Sequence, residues 1–257
     1  MEFYKYHGTG NDFILLDNRQ GKIHLSNEQV AALCNRRFGI GADGLMLLDH
    51  AEGYDFRMVY YNADGSESTM CGNGGRCITA FAKHLGIITD KASFLAIDGA
   101  HTAIIQTDGM ISLHMQNVLD IQLHDTHAIL NTGSPHYVSW VKNVVDTDVF
   151  GEGYAIRNRS EYQPSGINVN FVQVVGENQL LVRTYERGVE DETLSCGTGV
   201  TASAIAATGT TTGIFLTQIE TPGGELQVSF TKHTPDSAVD VILIGPAVFV
   251  FKGDVPL

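Results

Sequence analysis

The chain has few basic residues, no closely spaced cysteine pair and no long apolar run, and each absence removes a class of protein. Its 16 Lys and Arg stand against 29 Asp and Glu, a net charge of 16 − 29 = −13. Nucleic acids and anionic membranes are gripped by basic patches, so neither is expected as a partner. The acidity reads as a solvated surface that keeps the protein soluble. The four cysteines, Cys34, Cys71, Cys77 and Cys196, contain no C-x-x-C, which argues against a structural zinc site. No apolar run approaches membrane-span length. The opening residues Met1-Glu2-Phe3-Tyr4-Lys5 alternate in polarity and form no signal-peptide core. A cytoplasmic protein with reduced thiols is expected. The glycine-rich stretch Arg36 to Gly44 has no Gly-Lys-Ser/Thr ending and no helix after it, so it is not a phosphate loop.

What is present is a duplication. Cys71-Gly72-Asn73-Gly74 recurs as Cys196-Gly197-Thr198-Gly199, 125 positions later (196 − 71). Each copy follows an apolar, strand-like run, Phe56 to Tyr61 or Leu180 to Tyr185. An acidic loop lies between run and cysteine, Asn62 to Glu67 or Glu186 to Glu192, and a helical run follows both cysteines. The first N–H groups of a helix lack intrahelical partners and carry partial positive charge. A cysteine there has its thiolate favoured, and the same N–H groups can hold a carboxylate. One unit thus offers a sulfur base beside an anion cradle. Two such units suit removal of a proton from one face of a Cα and its return to the other.

With 257 residues there is room for one large domain or two of ordinary size, and the duplication favours two. The boundaries are expected at 1–115, joined by a last strand at about 246–257, and 116–245. Ser26 with Gln29 forms a capping box that opens a helix, and Cys34 falls on its apolar face. Ile78, Phe81, Ala82 and Leu85 fall at helical spacing, with Gly86 as the stop. A short helix is expected over Asp148 to Asn158. The helix after Cys196 is small or apolar on every side, so it must be buried all round. Strand-like runs dominate the remainder. The fold class is α+β: two pseudo-symmetric domains, each a mostly antiparallel sheet wrapped around a central helix. The cysteines are expected at the helix N-termini, in the cleft between domains. His136, at a loop–strand junction, is a candidate partner for a thiol. Asn11 in a glycine-rich turn and Asn168 on a strand are candidate ligand contacts.

His7-Gly-x-Gly-Asn-Asp-Phe13, Gly39-Ile-Gly-Ala-Asp-Gly44, Asn62-Ala-Asp-Gly-Ser-Glu67, Cys71-Gly-Asn-Gly-Gly-Arg-Cys77, Tyr185-Glu-Arg-Gly188 and Cys196-Gly-Thr-Gly199 together resemble diaminopimelate epimerases, in order along most of the chain. The resemblance implies a cofactor-independent enzyme of lysine and peptidoglycan precursor synthesis that interconverts LL- and meso-diaminopimelate. It implies that Cys71 and Cys196 act as thiolate base and thiol acid, assisted by His136 and Glu186. It implies that Gly72-Asn73 and Gly197-Thr198 bind the carboxylate at the reacting centre, and that Asn11, Asn62, Asn168 and Arg187 hold the distal end. No metal is expected at the site, and the lean on oligomeric state is to a homodimer. Three positions depart from the family pattern: Gly44 stands where some members have glutamine, Ser134 where many have asparagine, and Tyr6 where methionine is common. Two other readings fit the paired cysteine units. One is a proline or hydroxyproline racemase of similar fold, whose substrate lacks a second zwitterionic end. The other is a thiol redox sensor or binding module.

Overall fold

A computed structural model describes residues 1–256 and resolves two compact units. The first comprises Met1–Leu113 and the segment from Gly245 onward, and the second His114–Ile244. The first unit holds β1 (Glu2–Gly8), β2 (Asn11–Asp17), α1 (Asn27–Cys34), β3 (Gly44–Asp49), β4 (Phe56–Asn62), β5 (Glu67–Ser68), α2 (Gly72–His84), β6 (Lys91–Ala96), β7 (Gly99–Ile105) and β8 (Ile111–His114). A C-terminal strand, Val248–Asp254, pairs antiparallel with β1. The run Phe13-Ile14-Leu15-Leu16 in β2 is buried on both faces, because a helix covers each side. Ile14 and Leu16 point to α1, with Leu45, Leu47, Val30 and Leu33. The opposite face carries Tyr4 and Tyr6, whose rings pack on Phe81 of α2 at 4.9 and 6.0 Å. Cys34 belongs to the α1 core, and burial pushes its thiol up to about 11.

The second unit holds β9 (Gln122–Leu123), β10 (His127–Asn131), β11 (Pro135–Trp140), α3 (Val149–Arg157), β12 (Asn168–Gly176), β13 (Gln179–Glu186), β14 (Asp191–Thr193), α4 (Gly197–Ala207), β15 (Gly213–Thr221), β16 (Gly224–Thr234) and β17 (Ser237–Gly245). Its sheet is wrapped around α4: Val200, Ala202, Ala204 and Ile205 meet Leu130, Val138, Val172, Val182, Ile219, Val228 and Leu243. The outer face packs α3 against Tyr137, Val169, Phe171 and Tyr185. Beyond its first turn, the hydroxyls of α4 bond back along the helix, Thr201 Oγ1 to Gly197 O at 2.9 Å and Ser203 Oγ to Gly199 O at 2.8 Å. A helix can therefore be buried on all sides and still leave no hydroxyl unsatisfied.

The two units share one plan. β4 pairs antiparallel with β5, α2 follows, and β6 then pairs parallel with β4. β13 pairs antiparallel with β14, α4 follows, and β15 then pairs parallel with β13. β2 lies parallel to β3 as β11 lies parallel to β12. Antiparallel pairs prevail elsewhere, and the α+β class read from the sequence holds.

Candidate active site

In the first unit, Cys71 is the N-cap of α2, in extended backbone, and its Sγ accepts the Gly74 N–H at 3.1 Å. Sulfur takes the place usually filled by a Ser or Asp oxygen, so a thiolate there is met by a backbone dipole. Asn73 is buried, and its amide donates to Asn11 Oδ1 at 3.2 Å. Asn11 in turn donates to Asp43 Oδ2 at 2.8 Å. A carboxylate only accepts, so the Asn11 amide is oriented by Asp43. Arg36 bridges Asp43 and Asp12, both at 2.6 Å, and Lys5 pairs with Asp12 at 2.7 Å. Asn62 ends β4 and is tied into its own turn, donating to Ser66 Oγ at 3.2 Å.

Arg76 is not among the residues that the sequence pattern singles out. It is fully buried one turn into α2. Its guanidinium donates to Asn73 Oδ1 at 2.9 Å and to the carbonyl oxygens of Gly72 and Pro246 at 3.1 and 3.2 Å. These acceptors are neutral, and burial pulls the Arg76 pKa down to about 10. The signal was an arginine inside an otherwise small and apolar helix start. Cys77 beside it is buried, and burial raises its thiol well above the usual range, so it packs as a neutral side chain.

Gly44 has a reason in the first unit. A Cβ there would stand 2.5 Å from Tyr60 Cε2 and 2.7 Å from the Tyr61 carbonyl oxygen. The Tyr60 ring occupies the space that a longer side chain at 44 would need.

In the second unit, Cys196 is the N-cap of α4 and is 6 % exposed, with Sγ 3.4 Å from Thr198 Oγ1. Thr132 Oγ1 donates to the Thr198 carbonyl at 2.8 Å and so ties the loop before β11 to the first turn of α4. The parallel register places His136 beside Asn168. Asn168 Oδ1 accepts the Arg187 backbone N–H at 3.0 Å, and its amide donates to Ser134 Oγ at 2.9 Å. Arg187 also donates to Ser134 Oγ at 3.2 Å and to the Ser165 carbonyl at 3.1 Å. Ser134 therefore bridges two of the expected contact residues. Glu186 closes β13 and accepts from Thr193 Oγ1 at 3.0 Å. Glu190, not singled out in the sequence, gathers the loop carrying Glu186 and Arg187. It accepts from Gly188 N at 2.9 Å, Arg157 Nε at 3.0 Å and Tyr185 Oη at 3.2 Å.

His136, the second residue of β11 and so at the loop–strand junction, is wholly buried. Desolvation, reinforced by the Arg187 charge, pulls its pKa down to about 3, so the imidazole is neutral. Asn170, two residues after Asn168 and also buried, donates to His136 Nδ1 at 3.0 Å. In the first unit the structure thus brings Asn11 and Asn73 together, and in the second His136, Asn168 and Arg187.

A family model described as diaminopimelate epimerase matches residues 3–118 and 128–250. A diaminopimelate epimerase of Flavobacterium psychrophilum is 53 % identical over 255 residues, covering 98 % of this chain and 99 % of the relative. The chain belongs to the diaminopimelate epimerase family. A second relative of that name, from Chlorobaculum tepidum, is 44 % identical over 261 residues, covering 97 % and 99 %. Among solved structures, a PhzF-family phenazine biosynthesis protein of Bacillus anthracis superposes with a TM-score of 0.76 at 15 % identity, covering 100 % of this chain and 99 % of its own. A probable proline racemase of Agrobacterium radiobacter superposes with a TM-score of 0.69 at 14 % identity, covering 100 % and 93 %. At such identities these two show a shared fold alone. Family membership favours the epimerase reading over the proline racemase and redox-sensor readings. Among the described residues, no helix is long and apolar enough to cross a membrane.

Proposed function

We propose that this chain interconverts LL- and meso-2,6-diaminopimelate by two-base proton transfer at Cα, in the synthesis of lysine and peptidoglycan precursors. The observation that carries this reading is the repeated unit within a chain of this family: one cysteine caps α2 and another caps α4. The thiolate of one cysteine takes the α-proton, and the thiol of the other gives its proton to the opposite face. One proton leaves the carbon and one arrives, so charge and atoms balance. Negative charge spreading into the α-carboxylate is met by the N–H groups of Gly72-Asn73 and Gly197-Thr198. His136 and Glu186 assist the thiols. Asn11, Asn62, Asn168 and Arg187 take the distal ammonium and carboxylate, for which amide oxygens and a guanidinium fork are suited.

No cofactor enters this mechanism. Because both cysteines must stay reduced, a cytoplasmic setting fits. A homodimer is part of the reading: Val248, Phe249, Val250 and Phe251 are each at least 42 % exposed on the C-terminal strand, an apolar row that a second copy would cover.

Proton exchange tests the proposal. Reduced protein is incubated with LL-diaminopimelate in D₂O, beside Cys71→Ala and Cys196→Ala, and followed by NMR. The expected result is loss of the α-proton signal and appearance of the meso isomer with the wild type, and no epimerisation by either variant. An unchanged substrate with the wild type, or exchange of proline or hydroxyproline instead, would overturn it.

A further inference from the structure

His136 could serve a thiol in two opposite ways, as a base that takes its proton or as a donor that supports its anion. Which of these is open to it depends on where the imidazole proton sits, and the surrounding second-unit residues determine that. The Asn170 side chain is buried in contact with three fixed groups. Its Nδ2 lies 3.0 Å from His136 Nδ1 and 3.2 Å from the Tyr137 carbonyl oxygen, and its Oδ1 lies 3.0 Å from Thr184 Oγ1. A carbonyl oxygen can only accept. The amide atom facing Tyr137 is therefore the NH₂, because the reversed amide would set two oxygens against each other. The Thr184 hydroxyl then donates to Oδ1, satisfying the other end. With the NH₂ so placed, His136 Nδ1 faces a donor and must itself accept. A neutral imidazole that accepts at Nδ1 carries its proton on Nε2.

A second observation concerns that other nitrogen. Nε2 is buried and, among the described residues, meets no hydrogen-bond partner. An orphaned polar atom inside a fully buried side chain is costly, and its retention points to a use in function. Gly199, in the first turn of α4, makes the arrangement possible. Any Cβ there would run into Asn170 Oδ1, so the glycine lets the amide sit against the start of the helix that Cys196 caps.

We infer that Asn170 is a positioning residue that holds His136 as the neutral Nε2–H tautomer, making His136 a hydrogen-bond donor to negative charge at the reacting centre rather than a base for a thiol. No proton leaves Nε2 in the cycle. The assisted cysteine gives its proton to bulk water before substrate binds, and Nε2–H then supports the anion. The assignment to a reacting centre rests on the proposed function, whereas the tautomer itself does not.

The experiment is nitrogen NMR on full-length, reduced, ¹⁵N-histidine-labelled protein, with His136 assigned by comparison with His136→Gln. The wild type is expected to show a pyridine-type Nδ1 and a pyrrole-type Nε2, unchanged between about pH 5 and 8, where free histidines titrate. Asn170→Asp presents only acceptors, so Nδ1 should become pyrrole-type, and kcat should fall by roughly 10²-fold with KM little changed, the scale of losing one preorganised donor. Thr184→Val, which removes a buried hydroxyl but leaves the Tyr137 carbonyl to orient the amide, should lower Tm while keeping the tautomer and leaving kcat within a few-fold. A pyrrole-type Nδ1 in the wild type would overturn the inference. So would an Asn170→Asp variant with unchanged nitrogen signals, or a kcat that merely follows Tm across the two variants. The intended tautomer in a protein that does not turn over diaminopimelate would uphold the positioning role and overturn the functional proposal alone.

Discussion

At the scale of single residues, the most unusual group is a buried guanidinium with only neutral acceptors around it. Arg76 has lost its water, and its hydrogen bonds go to an amide oxygen, two backbone carbonyls and the Thr9 hydroxyl. A buried cation that lacks a carboxylate favours any anion that can form nearby, and in low dielectric that preference is large. Cys77 is adjacent to it, but burial keeps that thiol neutral; the other such group is the Cys71 sulfur, five positions earlier in the chain, whose charge also acts on Arg76. Arg76→Met should therefore raise the pH needed to form the Cys71 thiolate. Alkylation of Cys71 by iodoacetamide at neutral pH, followed by peptide mapping, should slow by about 10-fold or more, since each pKa unit is a factor of ten in thiolate. Arg76→Lys keeps the charge and should lose much less. Equal alkylation rates in wild type and Arg76→Met would show that the helix terminus alone favours the anion.

At the scale of elements, α4 shows what a chain's local pattern reveals and what it hides. Its composition is small and apolar from Val200 to Ala207, so burial on every side was legible from the sequence, as were the duplicated cysteine caps. Both are local properties, set within a few residues. The Ser26–Gln29 capping box was legible for the same reason and is present in the structure. The device at the other end of α4 was not legible. Lys232, 25 positions beyond Ala207 (232 − 207), is only 1 % exposed. Its ammonium donates to the Gly209 carbonyl at 2.6 Å and to Thr208 Oγ1 at 3.3 Å. A cation at a helix C-terminus is favoured by the dipole. That pairing depends on how β16 folds back over the helix, which no local period encodes. The same holds for Asn170, whose spacing two residues from Asn168 placed both on one strand face. Its contact with Thr184 exists only through the β12–β13 register. Lys232→Met keeps the bulk and removes the charge, leaving the Gly209 carbonyl without its donor. It should cost about 1–3 kcal/mol in the free energy of unfolding by denaturant. An unchanged midpoint would mean that desolvating the ammonium cancels what the cap contributes.

At the scale of the whole molecule, the buried groups set how stability depends on pH, and two of them act in windows that overlap only at the acid end. Burial pushes the Asp12 carboxyl up, but hydrogen bonds and charge from Arg36 and Lys5 outweigh it and hold the carboxyl at about 2. A carboxyl whose folded pKa lies below its ordinary value stabilises the fold above about pH 4 and loses that contribution as pH falls towards 2. His136 is a base held neutral, with its folded pKa near 3 against an ordinary 6.5. Unfolding lets it take a proton that the folded state refuses. Its contribution is therefore complete above about pH 6.5 and is lost as pH falls towards 3, at about 1.4 kcal/mol per pH unit. Between pH 6.5 and 4 the Asp12 site is still fully ionised, so the His136 effect stands apart from it there. Every other histidine is common to wild type and His136→Gln, so its effect cancels in the difference. Denaturant unfolding of the two proteins across this range should give wild-type stability falling faster with acid, so that the two curves converge or cross. Parallel curves would mean that His136 reaches water and titrates normally in the folded state, and that the buried, neutral donor assigned to it is wrong.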